Sequence, residues 1–222
     1  MVGLPFEDRV EAGQILASQL RAYADRADVV VLALPRGGVP VAFEIAQALR
    51  APLDVMIVRK LGVPGHEELA LGAIALGGVR VLNRRLVEEL ALSPSTIEAI
   101  ARRQQVELER REKLYRGERP ATQVAGQVVI LVDDGIATGS TMRAAVQALR
   151  QQKPARIVVA VPVAPPSVCE EMQTVVDELI CLAQPAGFFA VGQWYRDFSE
   201  TSDEQVRSLL ERANRVPVQS LM

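Results

Sequence analysis

Aromatic side chains are scarce: phenylalanine, tryptophan and tyrosine make up only 4% of the 222 residues. Valine, isoleucine, leucine and alanine must then carry the burial, which suits strands covered on both faces by helices. Cysteine is nearly absent too. Cys169 and Cys181 give neither a disulfide framework nor a metal quartet, and as buried free thiols they fit a reducing cytoplasm. No sign of charge dominates, since 25 basic residues face 27 acidic ones for a net charge of −2. Without a global basic field to draw the chain onto nucleic acid or anionic lipid, any phosphate site must be local. Long apolar runs are missing as well. The stretch from Val29 to Pro35 is far too short to cross a bilayer, and Glu7, Asp8 and Arg9 in the first ten residues argue against a secretory signal. The length suits one domain over residues 1–222.

What is present is an alternation of strand and helix. Val29 to Leu34 is a β-branched run that ends in Pro35-Arg36-Gly37-Gly38, and Val41, Ile45 and Leu49 then recur at helical spacing. Leu53 to Arg59 repeats the strand pattern, and Leu71–Leu76 with Val79–Leu82 flank a Gly77-Gly78 pair that can close a hairpin. Val128 to Val132 runs into Asp133-Asp134-Gly135-Ile136-Ala137-Thr138-Gly139-Ser140-Thr141 ahead of a helix carrying Ala145 and Leu149. Ile157–Val161, a helix start at Pro165-Pro166, and Leu179–Leu182 continue the series. The pattern predicts a parallel α/β sheet with right-handed crossovers and helices on both faces. Two segments stand outside it. One is a charged helical insert over 83–118, in which Ser93-Pro94 starts a helix with Ile97, Ile100, Gln104 and Leu108 on one stripe. The other is the tail over 186–222, which gathers Phe188, Phe189, Trp194, Tyr195 and Phe198. The insert's stripe can pair between subunits in a homo-oligomer or fold back on the sheet, and periodicity does not choose.

The double acid carries the chemistry. A buried strand that stops at two carboxylates and turns through glycines into a helix leaves backbone N–H groups of Ala137, Thr138, Gly139, Ser140 and Thr141 converging with two hydroxyls on one anion, such as a terminal phosphate. Carboxylates beside a phosphate cannot favour it by charge. Asp133 and Asp134 are therefore suited to accept hydrogen bonds from sugar hydroxyls or to hold Mg²⁺ through water. A sugar bearing a phosphate at one end and vicinal hydroxyls at the other satisfies both halves. The Gly135-x-x-x-Gly139-Ser140-Thr141 spacing lacks the lysine of a Walker loop, and neither glycine loop spells the dinucleotide fingerprint.

Val128 to Thr141 closely resembles the phosphoribosyl diphosphate (PRPP) motif of type I phosphoribosyltransferases: apolar strand residues, two acids, then a Thr-Gly-Ser-Thr turn. Leu34 to Val39 resembles that family's first loop, which wraps the diphosphate, often through a cis non-proline peptide. The resemblance implies a type I phosphoribosyltransferase core with the insert and tail as hood. It implies Pro35, Arg36, Gly37 and Gly38 at the diphosphate, with Arg36 offering a guanidinium fork. It also implies Asp133, Asp134 and Arg36 as catalytic residues, the 5′-phosphate at residues 137–141, and Mg²⁺ as cofactor. Arg59 to Glu68 looks like the family's flexible loop, which closes over PRPP, with Lys60 at the diphosphate or simply solvated. His66 on that loop suits proton transfer by its ordinary pKa but equally an exposed surface position.

The resemblance thins at the acceptor. Phe189-Ala190-Val191-Gly192 faintly resembles the tail strand of hypoxanthine-guanine enzymes, which makes Phe189, Trp194, Tyr195 and Asp197 candidates for the base; the aromatics can equally anchor the tail to the sheet. Those enzymes carry a carboxylate where Ala137 stands, and adenine-type enzymes carry alanine. Proton removal is left to Glu67, Glu68 or Asp197, or to no residue. The expected activity is Mg²⁺-dependent displacement of diphosphate from PRPP by a base or amine. The alternative is a non-catalytic PRPP sensor on the same fold.

Overall fold

The computed structural model describes residues 3–63, 66–75 and 79–215, without the side chains of 67–70. Strands β1 (Val29–Ala33), β2 (Leu53–Val55), β6 (Val128–Val132), β7 (Arg156–Val163) and β8 (Glu178–Ala183) form a parallel sheet in the order β2-β1-β6-β7-β8. Strands β3 (Val58–Val63), β4 (His66–Ala75) and β5 (Arg80–Leu82) form a separate antiparallel meander. The helices are α1 (Arg9–Gln19), α2 (Gly38–Leu49), α3 (Arg84–Glu89), α4 (Pro94–Arg116), α5 (Ser140–Gln151), α6 (Pro166–Gln173) and α7 (Asp203–Arg215). None of them is long and apolar enough to cross a membrane.

Every residue of β1 and β6 is buried, which explains why both read as continuous apolar runs. Alternate side chains serve opposite faces. Val29, Val31, Ala33, Val128, Ile130 and Val132 join the cluster that contains Leu16 of α1, Ile45 of α2, Leu108 of α4 and Leu210 of α7. Val30, Leu32, Val129 and Leu131 join Met142, Val146 and Leu149 of α5 and Cys169 and Met172 of α6 on the other face. The sheet is thus covered on both sides, as the low aromatic content implies.

Two expectations change. The Leu53–Arg59 run is not one strand: Met56 N still donates to Ala33 O at 2.8 Å, but from Val58 the chain pairs with Ala75 of the meander. Its composition is apolar almost throughout, so only pairing reveals the break. The segment read as a mobile flap is a β-hairpin, with Val63 opposite His66 and Arg59 opposite Ile74. Its tip, Pro64-Gly65, lies outside the described residues, as do Leu76, Gly77 and Gly78 of the second hairpin. The insert is helical as expected. Ile97, Ala101, Leu108 and Tyr115 form its buried stripe, and α4 folds back within the chain against β3 and α7.

Candidate active site

Strands β1 and β6 are adjacent and parallel, so their carboxyl ends lie side by side. Leu34 N donates to Val132 O at 2.9 Å, carrying the pairing to the first residue of the diglycine loop. The contact is tight. A Cβ on Gly37 would fall 2.0 Å from Asp134 Oδ2, and one on Gly38 2.8 Å from Val132 O, so only glycine fits where the two loops touch. The Pro35–Arg36 peptide is cis, as the resemblance implies.

Asp133 and Asp134 are equivalent by sequence and unlike in surroundings. Asp134 Oδ2 accepts from Arg9 Nε at 2.8 Å, and both side chains are mostly buried. Arg9 opens α1, donates through Nη1 to Ser199 O at 2.8 Å, and lies 3.9 Å above the Phe198 ring. Tyr195 Oη donates to the Asp134 carbonyl at 2.5 Å. Asp133 has no such counter-ion among the described residues; its Oδ1 accepts the Asp134 N–H at 2.9 Å. Burial, then the neighbouring Asp134 charge, pushes the Asp133 carboxyl well above the usual carboxylate range. Burial raises Asp134 as well, against the opposing pull of Arg9.

The second loop presents Ala137, Thr138, Ser140 and Thr141 at the start of α5, all but Gly139 of the stretch being set by ordinary backbone geometry. Gly139 sits at φ +73° as the N-cap, a left-handed conformation that favours glycine and turns the chain into the helix. Thr138 Oγ1 and Ser140 Oγ are exposed and lie 3.2 Å apart. A cation stands beside them that the motif does not contain: Arg143 donates through Nη2 to Thr138 O at 2.7 Å and through Nη1 to Glu171 at 2.7 Å. Helix start, hydroxyls and guanidinium together suit a phosphate.

A family model described as the phosphoribosyl transferase domain matches residues 7–192. The chain belongs to the phosphoribosyl transferase family. A Mycobacterium tuberculosis (strain H37Rv) protein, named provisionally as a phosphoribosyl transferase, is 50% identical over 210 residues, 95% of this chain and 47% of that protein. Its counterpart in strain CDC 1551 matches equally. The chain therefore spans about half the length of the curated relatives it matches. The crystal structure of TT1426 from Thermus thermophilus superposes with a TM-score of 0.86 at 44% identity, covering 94% of this chain and 99% of that one. The parallel sheet with helices on both faces is thus the fold of a phosphoribosyl transferase domain.

The remaining candidates are scattered. Arg36 pairs with Glu200 and lies 3.9 Å from Asp203, so the loop's cation is engaged by acids of the tail. Lys60 is exposed on β3, and its neighbour Arg59 donates to Gln104 of α4 at 3.0 Å. The tail holds no strand at Phe189–Gly192; Val191–Trp194 is a single 3₁₀ turn. Tyr195 is buried between Phe6 and Phe198, so it offers no stacking face and anchors the tail instead. Trp194 packs against Phe188, while Phe189 stands 91% exposed. Asp197 accepts from Ser199 N at 2.9 Å, and that bond holds its carboxyl below the usual range, which makes it a poor base. His66 is exposed, and the side chains of Glu67 and Glu68 lie outside the described residues. Arg9, Arg143, Phe198 and Glu200 are neighbours of the site that the motifs do not reveal; an arginine directly after the N-cap aspartate of α1 is the one available signal for Arg9.

Proposed function

We propose that the chain transfers the 5-phosphoribosyl group from PRPP to a nitrogenous base or amine and releases diphosphate, a reaction of nucleotide metabolism. The observation that carries this reading is the contact between the diglycine loop of β1 and the double carboxylate of β6, at neighbouring strand ends of a phosphoribosyl transferase domain. The acceptor nitrogen's lone pair forms a bond to C1 of the ribose as the C1–O bond to diphosphate breaks. The electron pair leaves with diphosphate, and the nitrogen's proton passes to solvent.

In this reading Ala137–Thr141 and Arg143 hold the 5′-phosphate, and Asp133 and Asp134 orient the ribose. Pro35 to Gly38 receive the diphosphate, with Arg36 exchanging Glu200 for a phosphate oxygen. The donor set fits Mg²⁺ in one particular way. Among the described residues no group of three or more ligating side chains converges, so the protein offers the two carboxylates at most and the substrate supplies the other oxygens, as is usual for this ion. When bound, Mg²⁺ neutralises charge on the departing diphosphate. Ala137 contributes no carboxylate, which fits an acceptor that needs no enzymic base.

Calorimetry of PRPP with Mg²⁺ tests the donor site, with Asp133→Asn/Asp134→Asn expected to abolish binding; unchanged affinity removes both residues from it. Incubation with PRPP, Mg²⁺ and a panel of bases should give base-dependent diphosphate release. Binding without release on any base would establish the sensor reading, for which Ala137 is the specific observation.

A further inference from the structure

The last two turns of α4 and the facing side of α7 line an open cavity of about 540 Å³ whose lining departs from the chain's charge balance. Arg110, Lys113, Arg116, Arg119 and Arg207 line it against a single carboxylate, Glu211, in a chain whose net charge is −2. The five cations are not equally committed. Arg116 is consumed by Asp54, Glu112 and the Val55 carbonyl and serves as wall. Arg110 shares Glu107 with Arg111. Arg119 donates to the carbonyls of Tyr115 and Arg116, where it offsets the negative end of the α4 dipole. Lys113 and Arg207 form no hydrogen bond or ion pair within the described residues, and Glu211 turns to Arg215 instead.

Like charges gathered in a concave site with low-dielectric walls, here Leu114 and Tyr115, focus the local potential and favour a counter-ion. The cations come from two packed helices, whose axes ordinarily lie about 8–10 Å apart. An anion with charge spread along several phosphates can engage cations on both helices at once, each phosphate taking its own charge-assisted hydrogen bonds. We propose that this cavity is a second anion site, separate from the strand-end loops, for a polyphosphate chain, either free or as the tail of a nucleoside triphosphate. Its wall is tied to the first site. Tyr115 Oη donates to Asp203 Oδ1 at 2.6 Å, and the same oxygen lies 3.9 Å from Arg36 in the diglycine loop. The anion site itself does not depend on the proposed transferase reaction.

Titration calorimetry with inorganic triphosphate and with ATP, at low and high salt, tests it. Wild type should bind with an affinity that falls as salt rises. Lys113→Glu/Arg207→Glu changes two exposed side chains, should keep the wild-type unfolding midpoint, and should lose at least about tenfold in affinity. Arg36→Ala should retain triphosphate binding at the α4–α7 cavity. Equal affinities for the two probes would identify the phosphate chain as the whole ligand, and tighter ATP binding would identify a nucleotide. The proposal is overturned if neither probe binds, if the double variant binds as wild type, or if Arg36→Ala alone removes binding, since the anion then sits at the diglycine loop.

Discussion

Gly37→Ala probes the contact on which the site depends, because the usual effect of this substitution has the opposite sign. Gly37 has φ −60° and ψ −32°, a right-handed conformation at the start of α2 that alanine adopts readily. On backbone grounds alone the change should stabilise by about 0.4–1 kcal/mol through the unfolded state. The structure reverses this expectation. The new Cβ would lie 2.0 Å from Asp134 Oδ2 and 2.6 Å from its carboxyl carbon, so the carboxylate or the loop must move. Asp134 cannot turn freely, since Arg9 holds the same oxygen at 2.8 Å and Tyr195 holds its carbonyl. Overpacking of this kind costs about 1–3 kcal/mol, which in a chain of this size lowers Tm by roughly 2–4 °C for each kcal/mol. Thermal and urea unfolding of Gly37→Ala, of Asp134→Ala and of the double variant form the assay. In the Asp134→Ala background the obstructing carboxylate is absent, so Gly37→Ala should cost little or stabilise. A single variant as stable as wild type, or an equal loss in both backgrounds, would refute the contact.

The two acids should respond unequally to neutralisation, because Arg9 donates to Asp134 and not to Asp133. Asp133 has a raised carboxyl pKa, so its folding contribution is most favourable below the ordinary carboxylate range and is lost as pH rises through the raised value. Asp133→Asn should therefore stabilise the free protein at neutral pH by about 0.5–2 kcal/mol and flatten the fall in stability with rising pH. Asp134→Asn leaves the mostly buried Arg9 guanidinium without its carboxylate and should cost about 1.5–3 kcal/mol, so equal shifts in a melting series would contradict the asymmetry. Arg116→Met strands Asp54, whose one ion-pair partner among the described residues is Arg116, and should cost about 3–5 kcal/mol by urea denaturation. Adding Asp54→Leu should restore most of that loss, and failure to restore it would show that the pair is not the cause.

The legible part of this fold is the part written in consecutive residues. β1 and β6 announce themselves because a strand buried on both faces needs an unbroken apolar run, and the loop after β6 because a strand-to-helix turn places its N–H groups and hydroxyls within a few residues. The α4 stripe is equally visible, since helical spacing is local. The break at Met56 is not, because an apolar run does not say which neighbour it pairs with. Nor is the role of Tyr195. Its ring can face a base or the core as far as the sequence goes, and the choice lies with Phe6, far away at the other end of the chain, and with the Asp134 carbonyl. Arg9 is the clearest case: the 125 positions that separate it from Asp134 carry no pattern that relates the two.

That long-range partner changes how the double acid works. Side by side in sequence, the carboxylates look interchangeable as ligands for a ribose or a hydrated cation. In the folded chain Arg9 holds Asp134 on one side and the diglycine loop closes on it from another, so an incoming hydroxyl or metal-bound water must compete with a fixed guanidinium for Oδ2. Asp133 faces no such competition. One of its oxygens receives a single backbone N–H, and the other, which meets no donor among the described residues, is not sealed from solvent. Burial and the neighbouring Asp134 charge raise its carboxyl pKa, a cost to the charged form that a cation or a pair of ribose hydroxyls would relieve on binding. The geometry therefore separates two tasks that the sequence leaves merged. Asp134 locks the amino-terminal helix and the aromatic tail onto the strand ends, and under the proposed function Asp133 would be the carboxylate that meets the ligand.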